Sequence, residues 1–108
     1  MVDVAADEGE IVGLDEIEMR RAARGEAYVQ FVNRGSLSVG LYVLRAGEDD
    51  PQQPHAEDEI YYVVAGRGRI RIGDADRPVQ PGSVVFVAKE GPHRFHAITE
   101  DLSLLLVF

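Results

Sequence analysis

Side chains with metal-binding chemistry stand close together in the middle of this 108-residue chain. Gln53, His55 and Glu59 lie within seven residues of one another, and His93 follows near the C-terminal end. Two imidazoles, one carboxylate and a neutral amide oxygen form a donor set that suits a divalent transition metal. The residue types therefore predict a metal site made of Gln53, His55, Glu59 and His93.

A loop and two strands must position these side chains. A tight loop that enters a strand at Glu59 can turn His55 toward the same point, and a returning strand can add His93. In the segment EIYYVV, which begins at Glu59, alternation places Tyr61 on the face of Glu59. In HRFHAI, which begins at His93, alternation places His96 on the opposite face. We therefore leave His96 out of the predicted site.

Short alternating segments with frequent glycine and proline turns fill the chain from residue 27 onward. This pattern is typical of an all-β antiparallel sandwich or barrel. Residues 1–26 form a short irregular arm in which 14–26 could make one or two helical turns. We interpret 75–82 as a loop. The predicted strands are 27–32, 37–45, 59–64, 67–73, 83–88, 93–98 and 102–108.

The second face of the Glu59 strand is also apolar, which is unusual for a surface that meets water. Ile60, Tyr62 and Val64 lie on it, and alternate members of 102–108 share the pattern. Another sheet or a second subunit would cover such a face. We expect a homodimer on this basis.

Composition narrows the classes of function. The chain has no cysteine, so neither thiolate zinc sites nor disulfides are available. Its 11 basic and 19 acidic residues give a net charge of −8, which argues against nucleic-acid and membrane partners. The acidic N-terminus does not read as a signal peptide. We expect a cytoplasmic protein whose partner is a small-molecule substrate or ligand.

The first metal-binding segment resembles the first motif of the cupins, small jelly-roll proteins also described as double-stranded β-helices. Gly47 opens the loop, Gln53-Pro54-His55 stands where cupins have His-x-His, and six residues separate Glu59 from Gly66. The glutamine replaces one imidazole ligand of the family. Phosphomannose isomerases, which are also cupins, hold zinc with a glutamine at the corresponding position, so the resemblance implies that Gln53 can bind metal.

The second cupin motif follows in the expected order. Pro81-Gly82-Ser83 and the apolar run VVFV precede His93, although the terminal asparagine of the motif is Ala97 here. The resemblance covers residues 37–108. It implies a jelly-roll barrel within a single domain, 1–108, and one divalent ion, Fe, Mn, Zn or Ni, at the four predicted ligands.

Three kinds of function remain open, because cupins perform all of them. A dioxygenase-like enzyme would act on a small chelating substrate. A sugar isomerase or epimerase would need a base near the metal, for which Tyr61 and Glu57 are the candidates, although Glu57 is expected to point outward. A non-catalytic cupin would bind a small ligand without turnover. Tyr61 is the candidate catalytic residue.

Overall fold

The computed structural model describes residues 4–6, 9–51 and 54–108, with side chains from residue 9 onward. Gln53 therefore lies outside the described residues. The described chain contains a short helix, α1 (Leu14–Arg24), and no helix long and apolar enough to span a membrane. The strands are β1 (Val4–Ala6), β2 (Gly9–Ile11), β3 (Tyr28–Asn33), β4 (Ser38–Leu44), β5 (Glu59–Ile72), β6 (Ala75–Val79), β7 (Val84–Val87) and β8 (His93–Val107).

The antiparallel sheet is built around the two longest strands, β5 and β8. Its strand order is β3-β4-β8-β5-β6, and β7 pairs with the first half of β5. The pairing of β5 with β8 contains several register shifts, which bend both strands around the interior. The predicted all-β jelly-roll barrel is confirmed.

Three predictions about the strands were wrong. The strands predicted over 93–98 and 102–108 are the single strand β8. The strands predicted over 59–64 and 67–73 are likewise the single strand β5, with a bulge at Ala65 and Gly66 between them. Gly66 has a φ of 95°, and a Cβ at this position would collide with the backbone of Asp101 on β8. The loop predicted over 75–82 contains β6, which pairs with β5 between Gly68 and Ile72.

The N-terminal arm is more regular than predicted. β1 and β2 pair with each other, and α1 spans 11 residues, or three turns rather than one or two. Asp15 and Glu16 lie in its first turn and arginines in its last, as the helix dipole favours. Ile17 is fully buried and packs with Val29 and Leu41, so the helix covers part of the outer face of β3 and β4.

The two faces of β5 have different surroundings. Tyr61 and Val63 are fully buried in the main core. On the opposite face, the large apolar side chains of β5 and β7 are between 42% and 66% exposed, and they form the cross-strand pairs Ile60–Phe86 and Tyr62–Val84. We call these four residues the outer patch. Its exposure agrees with the expected homodimer, which remains a prediction.

Candidate metal centre

Glu59 lies at the centre of the predicted site. It is the first residue of β5, where it pairs across the sheet with Val87. Only 2% of the residue is exposed, because its side chain points into the barrel. A buried carboxylate needs a cationic or hydrogen-bonding partner. Both imidazoles of the predicted site approach it.

His93 begins β8 and makes the closer contact. Its Nε2 atom lies 2.9 Å from Oε1 of Glu59 and 3.0 Å from the Tyr61 hydroxyl. On the other side of the ring, Nδ1 lies 2.9 Å from the carbonyl oxygen of Gly91. Since a carbonyl can only accept, Nδ1 carries the proton in the neutral ring and the lone pair of Nε2 points at Glu59. Metal-binding histidines are oriented by this kind of hydrogen bond.

His55 approaches Glu59 from the loop that precedes β5. Its Nε2 lies 3.8 Å from Oε2 of Glu59, and its ring centroid lies 6.5 Å from that of His93. The His55 ring also packs edge-to-face against Phe108, with centroids 4.9 Å apart. The structure thus brings His55, Glu59 and His93 together, with the carboxylate between the two rings.

Backbone contacts fasten the His55 loop to the turn that leads into His93. The amide of Glu90 donates to the carbonyl of His55 at 2.7 Å, and the amide of Lys89 donates to the Asp58 carboxylate at 2.8 Å. These bonds join two segments that lie far apart in the sequence. They explain why both imidazoles face one carboxylate.

The site carries more acceptors than donors. Oε2 of Glu59 is buried and makes no hydrogen bond with a described residue. Burial raises the pKa of the Glu59 carboxyl, and the nearby Asp50 raises it further. His93, His55 and Tyr61 act in the opposite direction and offset part of this rise. Facing carboxylate oxygens and an imidazole lone pair are stabilised by a proton or by a metal cation between them. The donor set therefore fits a divalent ion.

The side chains of Glu59 and His93 lie too close together to leave space for an ion between them. Within 9–51 and 54–108, no three His, Cys, Asp or Glu side chains already have the arrangement of a metal site. Nitrogen and oxygen ligands of zinc lie about 2.0–2.2 Å from the ion, whereas Glu59 and His93 contact each other directly. Metal binding therefore requires these side chains to separate. The His55 side chain is 35% exposed, which leaves it room to rotate.

Asp50 supports the site and was missed from the sequence. It is buried, and it accepts hydrogen bonds from the Tyr42 hydroxyl at 2.9 Å and from the Phe95 amide at 3.0 Å. Burial, followed by the neighbouring Asp50, raises the pKa of Tyr42. Because Phe95 lies two residues after His93, Asp50 ties the loop after β4 to the strand that carries an imidazole. The spacing of the acids Glu48, Asp49 and Asp50 does not show which one is buried.

The remaining predicted residues have distinct positions. Tyr61 is fully buried, and its hydroxyl lies 3.3 Å from Oε1 of Glu59 in addition to its contact with His93. His96 lies outside this cluster, with Nε2 3.0 Å from a carboxylate oxygen of Asp76. Gln53 belongs to the residues that the structure does not describe, so its role as a fourth ligand stays a prediction.

A cavity of about 640 Å³ opens beside His55. Its described lining includes His55 and Glu57 but not Glu59, Tyr61 or His93. Glu57 is exposed, as expected for a side chain that points outward, yet it forms part of the rim. A small molecule in this cavity would reach the cluster from the His55 side.

The chain is similar to known proteins along most of its length. A family model described as a cupin domain matches residues 40–108. The uncharacterized protein SCO3923 of Streptomyces coelicolor is 52% identical over 95 residues, which cover 88% of this chain and 90% of that protein. Such an identity over nearly the whole of both chains indicates common descent and a common fold.

Solved structures are similar in fold at much lower identity. A chain from the crystal structures of the DMSP lyases RdDddP and RnDddQII matches with a TM-score of 0.69 and 24% identity, covering 74% of this chain and 45% of that one. A proposed mannose-6-phosphate isomerase from Ralstonia eutropha matches with a TM-score of 0.65 and 23% identity, covering 74% and 80%. At these identities the likeness concerns the fold alone.

Proposed function

Because this chain belongs to the cupin family, we propose that it binds one divalent metal ion through His55, Glu59 and His93 and acts on a small molecule held in the adjoining cavity. The observation that carries the proposal is the buried Glu59 carboxylate between two imidazoles, with Oε2 making no hydrogen bond to a described residue. Gln53 is the proposed fourth ligand.

The donor set supports a dioxygenase-like activity on a small chelating substrate. Two histidines and one carboxylate are the facial ligand set of non-haem iron(II) oxygenases, which leaves coordination positions for other ligands. A divalent ion held by these residues would polarise oxygen groups of a substrate, and iron would also support chemistry with dioxygen. Manganese, zinc and nickel accept the same donors.

The protein's own residues hold and orient this chemistry. Gly91 fixes the His93 ring with Nε2 turned toward Glu59. The Tyr61 hydroxyl contacts both ligands, so it restrains their side chains and can share a proton with them. Burial of Glu59 excludes bulk water, which strengthens every electrostatic interaction made there.

A redox-neutral isomerase or epimerase is the second candidate, and one observation favours it. Such an enzyme needs a base that faces the substrate, and the Glu57 carboxylate lies in the rim of the cavity. Tyr61 is fully buried and absent from the described lining, so its proton is less accessible to a molecule in that cavity. Glu57 is therefore the better base for this alternative.

Metal exchange distinguishes the candidates. The metal-free protein would be loaded separately with iron(II) under nitrogen and with zinc, then mixed with catechol or 2,4-pentanedione. Oxygen consumption and product formation with iron but not zinc supports the dioxygenase-like proposal. With an aldose or ketose in place of these compounds, exchange of the proton next to the sugar carbonyl for deuterium, faster than without protein, with either metal and without oxygen uptake, supports the isomerase instead. Ligand-dependent thermal stabilisation without either reaction identifies a binding protein.

A further inference from the structure

The cavity beside His55 has a lining that restricts the charge of its occupant. Its volume of about 640 Å³ falls in the range of small-molecule sites. Aromatic and aliphatic side chains form much of the wall: Tyr28, Tyr42, Leu106 and Phe108. Amide and hydroxyl groups form another part: Gln30, Asn33, Ser36 and Ser38. Such a surface fits a molecule with an apolar body and a few oxygen atoms.

Cationic side chains do not line the cavity. All 11 lysine and arginine residues of the chain lie in the described part, and none belongs to the lining. Arg34 stands next to the lining residues Asn33 and Gly35 in sequence, but its Nε atom lies 3.0 Å from the Glu10 carboxylate. Proteins bind phosphate and carboxylate groups chiefly with arginine, lysine or helix N-termini. The wall lacks the arginine and lysine groups.

The charge that the wall does carry is negative. Glu57 is exposed at the rim, and an anionic group beside it would be repelled. The two tyrosines in the wall add no further charge at neutral pH, because the ordinary pKa of tyrosine is about 10 and burial raises the pKa of Tyr28 and of Tyr42 further. An anionic group that faces this wall, away from the proposed metal, would therefore lose water without gaining a cationic side chain as a partner.

The position of Tyr28 gives the wall its shape. Its ring lies over Gly40 on β4 so closely that a Cβ at Gly40 would collide with it. The ring also meets Tyr42 edge-to-face, with centroids 6.3 Å apart. Since Gly40 allows Tyr28 to lie flat against the sheet, the space in front of the ring stays open. A larger residue at position 40 would push the ring into the cavity.

We propose that the cavity selects uncharged, oxygen-bearing small molecules with an apolar body, and rejects molecules that place a phosphate or carboxylate group against its wall. This deepens the proposed function and rests on it, since the occupant lies beside the proposed metal ligand His55. Recognition comes from the apolar wall and the neutral polar groups, and rejection comes from Glu57 and the lack of a cation in the lining.

The test compares two ligands that share a ring and a chelating pair of hydroxyls. Catechol is uncharged, whereas 3,4-dihydroxybenzoate carries a carboxylate at the far side of the ring. Their dissociation constants would be measured by calorimetry on zinc-loaded protein, which cannot oxidise them by metal redox chemistry. We expect catechol to bind at least about tenfold more tightly, a difference of roughly 1.4 kcal/mol. Equal binding, tighter binding of the acid or no binding of catechol would overturn the proposal.

Two variants connect the selectivity to the wall. Glu57→Lys replaces the rim carboxylate by a cation on an exposed loop, and it should bring the two affinities within about twofold. Ser36→Arg places a cation at another lining residue and should likewise raise the affinity for the acid relative to catechol. Unchanged selectivity in both variants would contradict the assignment to the wall. Neither substitution should alter zinc content, which elemental analysis of the same samples would check.

Zinc content also separates this proposal from the metal site itself. If wild-type protein binds no zinc, the proposed function fails, and the same ligand pair would be compared on the metal-free protein by ligand-observed NMR. The preference for the uncharged ligand should persist there, because it comes from the wall. If the protein does bind zinc, the metal-free form should still prefer the uncharged ligand. Loss of this preference on removal of zinc would overturn the proposal about the wall without affecting the metal site.

Discussion

The Nε2 atom of His93 lies 2.9 Å from Oε1 of Glu59, and both side chains are almost completely buried. The hydrogen bond from Nδ1 to Gly91 directs the Nε2 lone pair toward the carboxylate in the neutral ring. Two acceptors at this distance need a proton or a cation between them. This relationship is the basis of the proposed metal centre and of two predictions about its charge.

The first prediction concerns the stability of the metal-free protein. Because burial raises the pKa of Glu59 above its ordinary value of 4.5, the folded state holds the proton more tightly than the unfolded state does. Stability is then lost as the pH rises from 4.5 through the raised pKa. Glu59→Gln should remove this loss. At pH 7 in the presence of a chelator, we expect its melting temperature to exceed that of the wild type by about 4 °C, roughly 1 kcal/mol for a domain of this size.

A second pH value serves as the control for this variant. At pH 4 the wild-type carboxyl is largely protonated, so the two proteins should melt at nearly the same temperature. A variant that melts several degrees below the wild type at pH 7 would show that the ionised carboxylate stabilises the metal-free fold, contrary to this account.

The second prediction concerns the pH dependence of metal binding. Metal ligands must be deprotonated, and the raised pKa of Glu59 lets protons compete at a higher pH than at an ordinary carboxyl group. Free histidine has a pKa of about 6.5, so both ligand types predict that affinity falls as the pH decreases below roughly that value. A zinc titration between pH 8 and pH 4 measures this. Full affinity at pH 4 would exclude His55 and His93 as ligands.

The third prediction concerns Asp50. Asp50→Ala removes the carboxylate that accepts hydrogen bonds from the Tyr42 hydroxyl and the Phe95 amide. Both donors are then buried without this acceptor. We expect the free energy of unfolding to fall by about 2–4 kcal/mol, measured by urea denaturation. The neighbouring exposed residue supplies the control, since Asp49→Ala should change the free energy of unfolding by less than about 0.5 kcal/mol. Similar losses in both variants would refute the role of Asp50.

The fourth prediction concerns the outer patch. We expect light scattering at micromolar concentration to give the mass of a dimer. Phe86→Glu should shift it to a monomer, because a charge in an apolar interface is costly. Asp74→Lys changes a charge in the exposed turn between β5 and β6 and should leave the dimer intact. A monomeric wild-type protein would reject the homodimer.

The sequence allowed the faces of Glu59, Tyr61 and His96 to be predicted, because strand alternation is simple to read. Glu59 and Tyr61 point into the barrel, while His96 lies on the other side of its strand beside Asp76. The ordering of both cupin motifs likewise predicted the barrel. These features depend on local spacing, which the sequence contains directly.

Contacts between distant segments could not be predicted in this way. The bond from Glu90 to His55 and the burial of Asp50 depend on how two loops meet in space. The strand β6 was also missed, since Pro78 and the polar residues around it are typical of a loop. Its position beside β5 comes from the length of β5, which the bulge at Gly66 conceals in the sequence.

The most direct test of the central claim is the metal content of untagged protein purified without chelators, measured by elemental mass spectrometry. We predict close to one divalent ion per chain in the wild type and in His96→Ala, and little in His55→Ala or Glu59→Ala. Absence of metal from the wild type, even after incubation with iron(II), manganese, nickel and zinc, would contradict the proposed centre. Equal metal in all four proteins would contradict the assignment of its ligands.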